Sequence, residues 1–299
     1  MRMTEILVIG KNGQIGFELS RSLSVLGGVV SLSREQCDLL QPEQVSAVLQ
    51  KYQPKIIVNA AAYTAVDKAE QDADNAAGVN AGGVAILADW ANGNDALLLH
   101  YSTDYIFDGA KHTPYTEEDT PNPLSVYGRT KWEGEQAIRH SGCRHLIFRT
   151  SWVFGQHGSN FFKTMLKLAA ERDTLNVVAD QRGTPTAACL IADVTAHVLA
   201  QYLRSSAPSK FPFGTYNVTA EGDTTWHDYA RLIIEYASLL ELPLKTRPQA
   251  ILPIKSIDYP SVALRPLYSC LTSAKLKQTF KLEVPHWKTC LKYVMQLPN

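Results

Sequence analysis

Short apolar segments alternate with amphipathic segments along the first half of the chain. The apolar segments predict buried strands at residues 5–10, 29–32, 55–58, 96–101 and 145–150. The segments between them have helical periodicity and predict helices at residues 14–26, 42–52, 76–92 and 126–141. Such an alternation is typical of an α/β fold with a doubly wound parallel sheet. Ligands of these sheets bind beyond the carboxyl ends of the strands.

After residue 150 the alternation is less regular. Helices are expected near 160–172, 189–204 and 226–240, and a proline-rich connection follows at 243–266. We therefore expect two parts. Residues 1–150 form the sheet domain, and residues 151–299 form a smaller lobe that is partly interleaved with the sheet.

The composition excludes several classes of protein. The 299 residues are 45% hydrophobic, enough for a large core, and the formal net charge is zero. The chain has no basic stripe for nucleic acid and no apolar run of the ~18 residues that a membrane span needs. It starts without a signal-peptide core, and its five cysteines are scattered without a C-x-x-C pair. We therefore expect a cytoplasmic protein with free thiols.

A glycine-rich turn follows the first predicted strand. Gly10, Gly13 and Gly16 are spaced three residues apart, with Gln14 and Ile15 before the last of them, and the first predicted helix begins here. A turn of this kind lets a pyrophosphate approach the free N–H groups of a helix. It predicts a Rossmann-type dinucleotide-binding domain in the first part of the chain. Tight backbone packing is the alternative explanation.

The residues after the second predicted strand indicate which dinucleotide binds. An acidic residue at this point would bind a ribose 2′-hydroxyl, but the chain has Ser33 and Arg34. Because Arg34 is able to pair with a 2′-phosphate, NADPH is the expected cofactor and NADH the less favoured one. A solvated arginine is the alternative. Asp38 and Leu39 are expected beside the adenine.

A tyrosine and a lysine share one face of a predicted helix. Tyr127 and Lys131 lie four residues apart, behind Ser102 and Thr103 at the end of the fourth predicted strand. A free tyrosine has a pKa of about 10, and a nearby lysine ammonium would lower it. Together with the glycine turn, these residues predict a reductase in which Tyr127 donates a proton beside a hydride transfer. A surface Tyr/Lys pair is the alternative.

These motifs resemble the extended short-chain dehydrogenase/reductase superfamily, and longer segments narrow the resemblance to the dTDP-4-dehydrorhamnose reductases. The segments are distributed along the whole chain: VNAAAYTAVDKAE (58–70), HYSTDYIFDG (100–109), VYGRTK (126–131), FRTSWVF (148–154), NFFKTML (160–166), GTPT (183–186), TTWHDYA (224–230) and ALRP (263–266).

The resemblance implies an activity in dTDP-rhamnose and lipopolysaccharide biosynthesis, the NADPH-dependent reduction of dTDP-4-dehydrorhamnose at its C4 ketone to dTDP-L-rhamnose. It also implies roles for individual residues. Three would be catalytic, namely Tyr127, Lys131 and Thr103, and Lys131 would also hold the nicotinamide ribose. Four further residues would line the cofactor groove, namely Ala62, Tyr63, Thr64 and Tyr101. The substrate would contact Thr103, Asp104, Trp152 and Arg265. Arg265 would bind the diphosphate of the substrate, and a structural ion pair is the alternative role of this arginine.

The chain departs from the family pattern at two places. Some members bind magnesium at a dimer interface through three glutamates, whereas this chain has Glu18, Cys189 and Lys288 at the matching positions. A thiol and an ammonium are not ligands for magnesium, so neither the metal nor the dimer built on it is expected. We expect a monomer or a weak homodimer. Tyr268 replaces the usual asparagine of R-P-x-N-S, which leaves the local nucleotide contacts open.

Two other functions remain open from the sequence. A sugar-nucleotide epimerase or dehydratase of the same superfamily would share the glycines and the Tyr/Lys pair. The dehydratases, however, have a glutamate where this chain has Tyr105. A non-catalytic NADP-binding regulatory subunit would not require the complete set of Thr103, Tyr127 and Lys131.

Overall fold

The computed structural model describes residues 6–296. Glu5 of the first predicted strand and the start of the chain, where no signal peptide is predicted, lie outside this range. Among the described residues, no helix combines the length and apolar character that a membrane crossing requires. All five cysteines are free thiols, as predicted.

The first half of the chain alternates strands and helices, close to the predicted ones. In chain order these are β1 (Ile6–Ile9), α1 (Gln14–Ser22), β2 (Val29–Leu32), α2 (Pro42–Tyr52), β3 (Ile56–Asn59), α3 (Val66–Ala69), α4 (Ala73–Ala77), α5 (Gly83–Gly93), β4 (Leu97–Thr103), α6 (Val126–Ser141) and β5 (Arg144–Thr150). A π-helical turn (Gly78–Gly82) interrupts the single helix predicted at 76–92. The first predicted helix was too long, because Leu26 N bonds to Leu23 O in a turn that leads into two glycines.

The second half is less regular. Its elements are β6 (Val153–Phe154), α7 (Phe161–Glu171), β7 (Leu175–Val178), β8 (Arg182–Gly183), β9 (Thr186–Ala187), α8 (Ala188–Arg204), β10 (Gly214–Asn217), β11 (Thr224–Thr225), α9 (Trp226–Leu239), β12 (Ile251–Ile254), α10 (Ala274–Phe280) and α11 (Trp287–Met295). The three predicted helices here are confirmed as α7, α8 and α9. The strands were not predicted, because segments of two to four residues are too short to show a period.

Six strands form one parallel sheet in the order β10-β5-β4-β3-β1-β2. The predicted doubly wound α/β fold is therefore confirmed. The chain order reverses at β1, which lies between β2 and β3, and such a switch point is where open α/β sheets bind ligands. β10 comes from the second half of the chain and pairs with β5. The domain boundary near residue 151 stays a prediction.

Helices cover both faces of this sheet. Because successive strand side chains point to opposite faces, Ile6 and Val8 pack towards α1 and α8, while Leu7 and Ile9 pack towards α2 and α5. All four are fully buried, which explains the continuous apolar run of β1. A separate core around Tyr229 fills the smaller lobe.

Candidate active site

A groove runs across the carboxyl ends of β1 and β3, at the switch point of the sheet. It consists of two adjoining cavities of about 330 and 320 Å³, which share Asn12, Gly13 and residues 60–62. The first cavity is further lined by the predicted residues Gly10, Arg34, Asp38, Leu39 and Tyr63. The second is lined by Gln14, Ile15, Thr64, Tyr101, Tyr127 and Lys131. The fold thus brings most of the predicted cofactor residues to one groove. Gly16 and Ser33 are not among the lining residues.

The glycine turn is shaped for close approach of a ligand. Gly10 has a φ of +94°, and a Cβ there would lie 2.7 Å from Ala61 N. A Cβ on Gly16 would overlap Gly10 O, so Gly16 holds the turn against the start of α1. Gly13 has room beside it and precedes α1 without a side-chain cap. Because the first N–H groups of a helix lack intrahelical partners, this cradle suits a pyrophosphate.

Arg34 lies at the outer end of the groove with an exposed side chain. Its Nε is 3.1 Å from Asp38 Oδ2, so the two predicted residues form an ion pair. Glu35 lines the same cavity, and its pKa is lowered mainly by a hydrogen bond from Ser33 Oγ. The carboxylate of Glu35 beside Arg34 was not predicted.

Tyr127 is fixed at the start of α6. Ser125 caps this helix by accepting a hydrogen bond from Gly128 N at 3.1 Å. Gly128 packs against Tyr105 O so closely that a Cβ would not fit, which holds Tyr127 beside the end of β4. Burial raises the pKa of Tyr127 to about 12, although a hydrogen bond with Thr103 opposes this.

The amine of Lys131 contacts two residues of β4. Its Nζ donates to Tyr101 O at 2.6 Å and lies 3.1 Å from His100 Nε2. Burial lowers the pKa of Lys131 to about 7. The predicted lowering of the Tyr127 pKa by Lys131 is wrong for this geometry, because burial dominates and the amine is held elsewhere. Tyr101 lines the groove, but its hydroxyl bonds to Thr195 at 2.7 Å.

Thr103 and Asp104 are buried between the Tyr127 region and the smaller lobe. Thr103 Oγ1 donates to Asp104 Oδ1 at 3.0 Å and accepts from Tyr105 N at 3.2 Å. Burial raises the pKa of Asp104 to about 7. The site therefore holds a carboxyl group that is poised between its neutral and charged forms near neutral pH.

Two tryptophans form the wall of the site on the lobe side. The ring of Trp152 stacks on Trp226 with a centroid distance of 3.4 Å and an interplanar angle of 7°. Trp152 has a φ of +43°, a conformation rare for a bulky residue. Trp226 and Phe161 line a cavity of about 450 Å³ next to it. No role was predicted for Trp226 or Phe161, although both lie in segments that resemble the family.

Arg265 also lines this cavity, but its guanidinium is already paired. It donates to both carboxylate oxygens of Asp67, at 2.6 and 3.1 Å. The structure thus shows the ion pair that was the alternative to a diphosphate contact. A direct contact with the diphosphate stays a prediction.

The positions that match the metal ligands of some relatives lie at the surface of α1, α8 and α11. Glu18 pairs with Arg21 at 3.5 Å, and Cys189 has its pKa raised by burial and by Glu18. Within residues 6–296, no group of three or more His, Cys, Asp or Glu side chains is arranged to hold a metal ion. The expected independence from magnesium stays a prediction.

Comparisons with known proteins agree with this geometry. The family model described as RmlD substrate binding domain matches residues 3–298. The dTDP-4-dehydrorhamnose reductase of Burkholderia thailandensis is 45% identical over 284 residues, 95% of each chain. That of Salmonella typhimurium is 44% identical over 294 residues, 97% of this chain and 96% of the relative. The crystal structure of dTDP-4-dehydrorhamnose reductase from Bacillus anthracis in complex with NADP has a TM-score of 0.88 at 32% identity, covering 98% of this chain and 99% of that one. The chain belongs to the dTDP-4-dehydrorhamnose reductase family.

Proposed function

We propose that the protein reduces the C4 ketone of dTDP-4-dehydrorhamnose with NADPH to give dTDP-L-rhamnose. The meeting of the glycine turn, Tyr127 and Lys131 in one groove supports this proposal most directly. Relatives that are 44% and 45% identical over nearly the whole chain carry the name of this reductase.

The groove fits a dinucleotide. The glycine turn would hold the pyrophosphate, Arg34 the 2′-phosphate, and Lys131 the nicotinamide ribose. NADPH bound in this way would supply a hydride to C4 of the sugar. The relative from Bacillus anthracis was solved with NADP.

The cavity beside the tryptophans suits the nucleotide part of the substrate. Its aromatic wall of Phe161 and Trp226 offers a surface for a planar base, and Arg172 and Arg265 line it as well. The sugar would then lie near Trp152, within reach of Thr103 and Asp104. A dTDP-sugar is the expected substrate.

Tyr127 would act as the proton donor. Its raised pKa keeps the phenol protonated at neutral pH, and a donor must be in that form before the reaction. As negative charge develops on the C4 oxygen, Tyr127 would transfer its proton to that oxygen, while Thr103 orients the phenol. A charged Lys131 in the groove would stabilise the phenolate left behind.

The other two functions are less well supported. A dehydratase needs a base where this chain has Tyr105, a phenol whose pKa is raised by burial. A regulatory subunit would not need Thr103, Tyr127 and Lys131 together, two of which, Thr103 and Lys131, are buried polar side chains. The cytoplasmic compartment and the state of monomer or weak homodimer stay predictions.

A substrate panel tests the proposal. The purified protein is incubated with NADPH and dTDP-4-dehydrorhamnose, and separately with UDP- and GDP-linked 4-keto-6-deoxyhexoses, while absorbance at the nicotinamide band is followed. We expect stoichiometric oxidation with the dTDP sugar and dTDP-L-rhamnose as the product by NMR. Release of water or epimerisation without net NADPH oxidation would contradict the proposal.

A further inference from the structure

A fully buried histidine adjoins the proposed catalytic lysine. His100 lies on β4, next to Tyr101, and is 0% exposed. Its Nε2 is 3.1 Å from Lys131 Nζ, and its Nδ1 is 3.1 Å from Asn59 Nδ2 on the neighbouring strand β3. Burial above all holds the pKa of His100 well below its usual range. The imidazole is therefore neutral, and one of its nitrogens carries the proton.

Asn59 determines which nitrogen that is. The N–H group of Ala61 donates to Asn59 Oδ1 at 3.1 Å. Because a backbone N–H only donates, the amide oxygen of Asn59 must face Ala61, and its amino group must face His100. The amino group donates to Nδ1, so Nδ1 has the lone pair. The proton of neutral His100 is then on Nε2, directed at Lys131.

This tautomer selects one form of Lys131. A neutral amine has a lone pair that accepts a hydrogen bond from Nε2–H, and it still donates to Tyr101 O. An ammonium has no lone pair, so its N–H would face the N–H of the imidazole. The lowered pKa of Lys131 is in keeping with the amine at this position.

We propose that His100, oriented by Asn59, is a positioning residue that holds Lys131 as the neutral amine, and that a protonated Lys131 leaves His100 for the groove and Tyr127. The proposal rests on the proposed role of Lys131 in the reaction. It gives the lysine two positions, one for each protonation state.

Other charged groups around the lysine do not replace this contact. Glu135, on the same helix, raises the pKa of Lys131, but its carboxylate is shared by Arg149 of β5 at 2.8 Å and Arg139 of α6 at 2.8 Å. Asp104 acts on Tyr127 and raises its pKa. Asn59, which hydrogen-bonds to His100 from β3, is uncharged, and so is the Tyr101 carbonyl that accepts from Lys131.

Asn59→Asp is the variant that tests the proposal. A carboxylate still accepts from Ala61 N, but it has no N–H to donate, so it accepts from Nδ1–H of His100. The proton moves to Nδ1, and Nε2 becomes an acceptor for a Lys131 ammonium. Asn92→Asp, on the exposed surface of α5, is the matched control for the added charge.

Two measurements decide the matter. In the ¹⁵N spectrum of histidine-labelled, cofactor-stripped protein, with His100 assigned through His100→Phe, we expect the proton on Nε2 in the wild type and on Nδ1 in Asn59→Asp. In the pH profile of kcat/KM, we expect the wild type to lose activity above about pH 7, where Lys131 loses its proton. We expect this loss to move upward by about one unit or more in Asn59→Asp, and not in Asn92→Asp.

A proton on Nδ1 in the wild type would overturn the proposal, whether or not the protein reduces the proposed substrate. An unmoved pH profile in a folded Asn59→Asp protein would overturn it as well. If Asn59→Asp does not fold, the wild-type spectrum alone decides. Because the spectrum needs no substrate, failure of the proposed reaction is distinguishable from failure of this inference.

Discussion

Asp67 on α3 and Arg265 in the lobe are joined by two hydrogen bonds between carboxylate and guanidinium, at 2.6 and 3.1 Å. The same carboxylate accepts from the backbone N–H groups of Val262 and Ala263, at 3.1 and 3.0 Å. Arg265 above all holds the pKa of Asp67 well below its usual range. One carboxylate of the sheet domain therefore fixes the loop that lines the cavity assigned to the nucleotide.

Asp67→Asn should weaken this connection. An amide keeps one acceptor oxygen but loses the charge that pairs with Arg265. We expect dTDP to bind about tenfold more weakly, the equivalent of about 1.4 kcal/mol, while NADPH affinity is unchanged. Calorimetric titration of both ligands measures this, with Asp74→Asn on exposed α4 as the control. If Arg265→Ala loses dTDP binding and Asp67→Asn does not, Arg265 binds the diphosphate directly.

The raised pKa of Asp104 predicts a pH-dependent stability. Burial raises this pKa from the ordinary value of 3.8 to about 7 in the folded protein, so the folded state binds the proton more tightly. Protonated Asp104 therefore contributes about 4 kcal/mol to the free energy of unfolding below about pH 4, and this contribution is lost as the pH rises to about 7. Asp104→Asn should remove this dependence and stabilise the protein at pH 8 but not at pH 4. Urea unfolding at both values tests it, and an equal change at both pH values would show that Asp104 is not the titrating group.

Arg34→Ala should weaken the binding of NADPH but not that of NADH. A charge-assisted hydrogen bond to a phosphate contributes roughly 1.5–3 kcal/mol, so NADPH affinity should fall about tenfold or more while NADH affinity stays nearly constant. Fluorescence titration with each cofactor measures the difference. Arg129→Ala, at an exposed position of α6, is the control. Equal losses for NADPH and NADH would mean that Arg34 does not contact the 2′-phosphate.

Chelation should leave the activity unchanged. Glu18 is paired with Arg21, and the matching positions Cys189 and Lys288 provide a thiol and an ammonium, which are poor partners for magnesium. Activity and sedimentation are compared in EDTA and in millimolar magnesium. Dissociation or loss of turnover in EDTA would show that the three positions were matched to the wrong residues.

Long periodic segments and the glycine turn were predictable from the sequence. The bounds of α2 and α6 match the predicted ones, because a proline starts the first and Gly142 ends the second. The direction of Lys131 was not predictable from its spacing to Tyr127. It depends on burial and on partners from β3 and β4, which lie far away in sequence.

The sequence indicates other parts of the site only weakly or not at all. Asn59 and His100 each follow three apolar residues of a buried strand, and this pattern would have indicated a buried polar contact. The left-handed backbone of Trp152 has no sequence signature, since bulky residues rarely adopt it. The pairing of Arg265 with Asp67 spans 198 positions and appears only when the lobe packs on the sheet domain.

The most direct test of the proposed reaction is the rate of hydride transfer in Tyr127→Phe. Stopped-flow single turnover with NADPH and dTDP-4-dehydrorhamnose follows the loss of nicotinamide absorbance, and fluorescence titration gives the NADPH affinity. Removal of the general acid should slow the transfer by about 10²–10⁴-fold, with NADPH affinity within about twofold of the wild type. A Tyr127→Phe protein that transfers hydride at nearly the wild-type rate would contradict the role of Tyr127 as the proton donor.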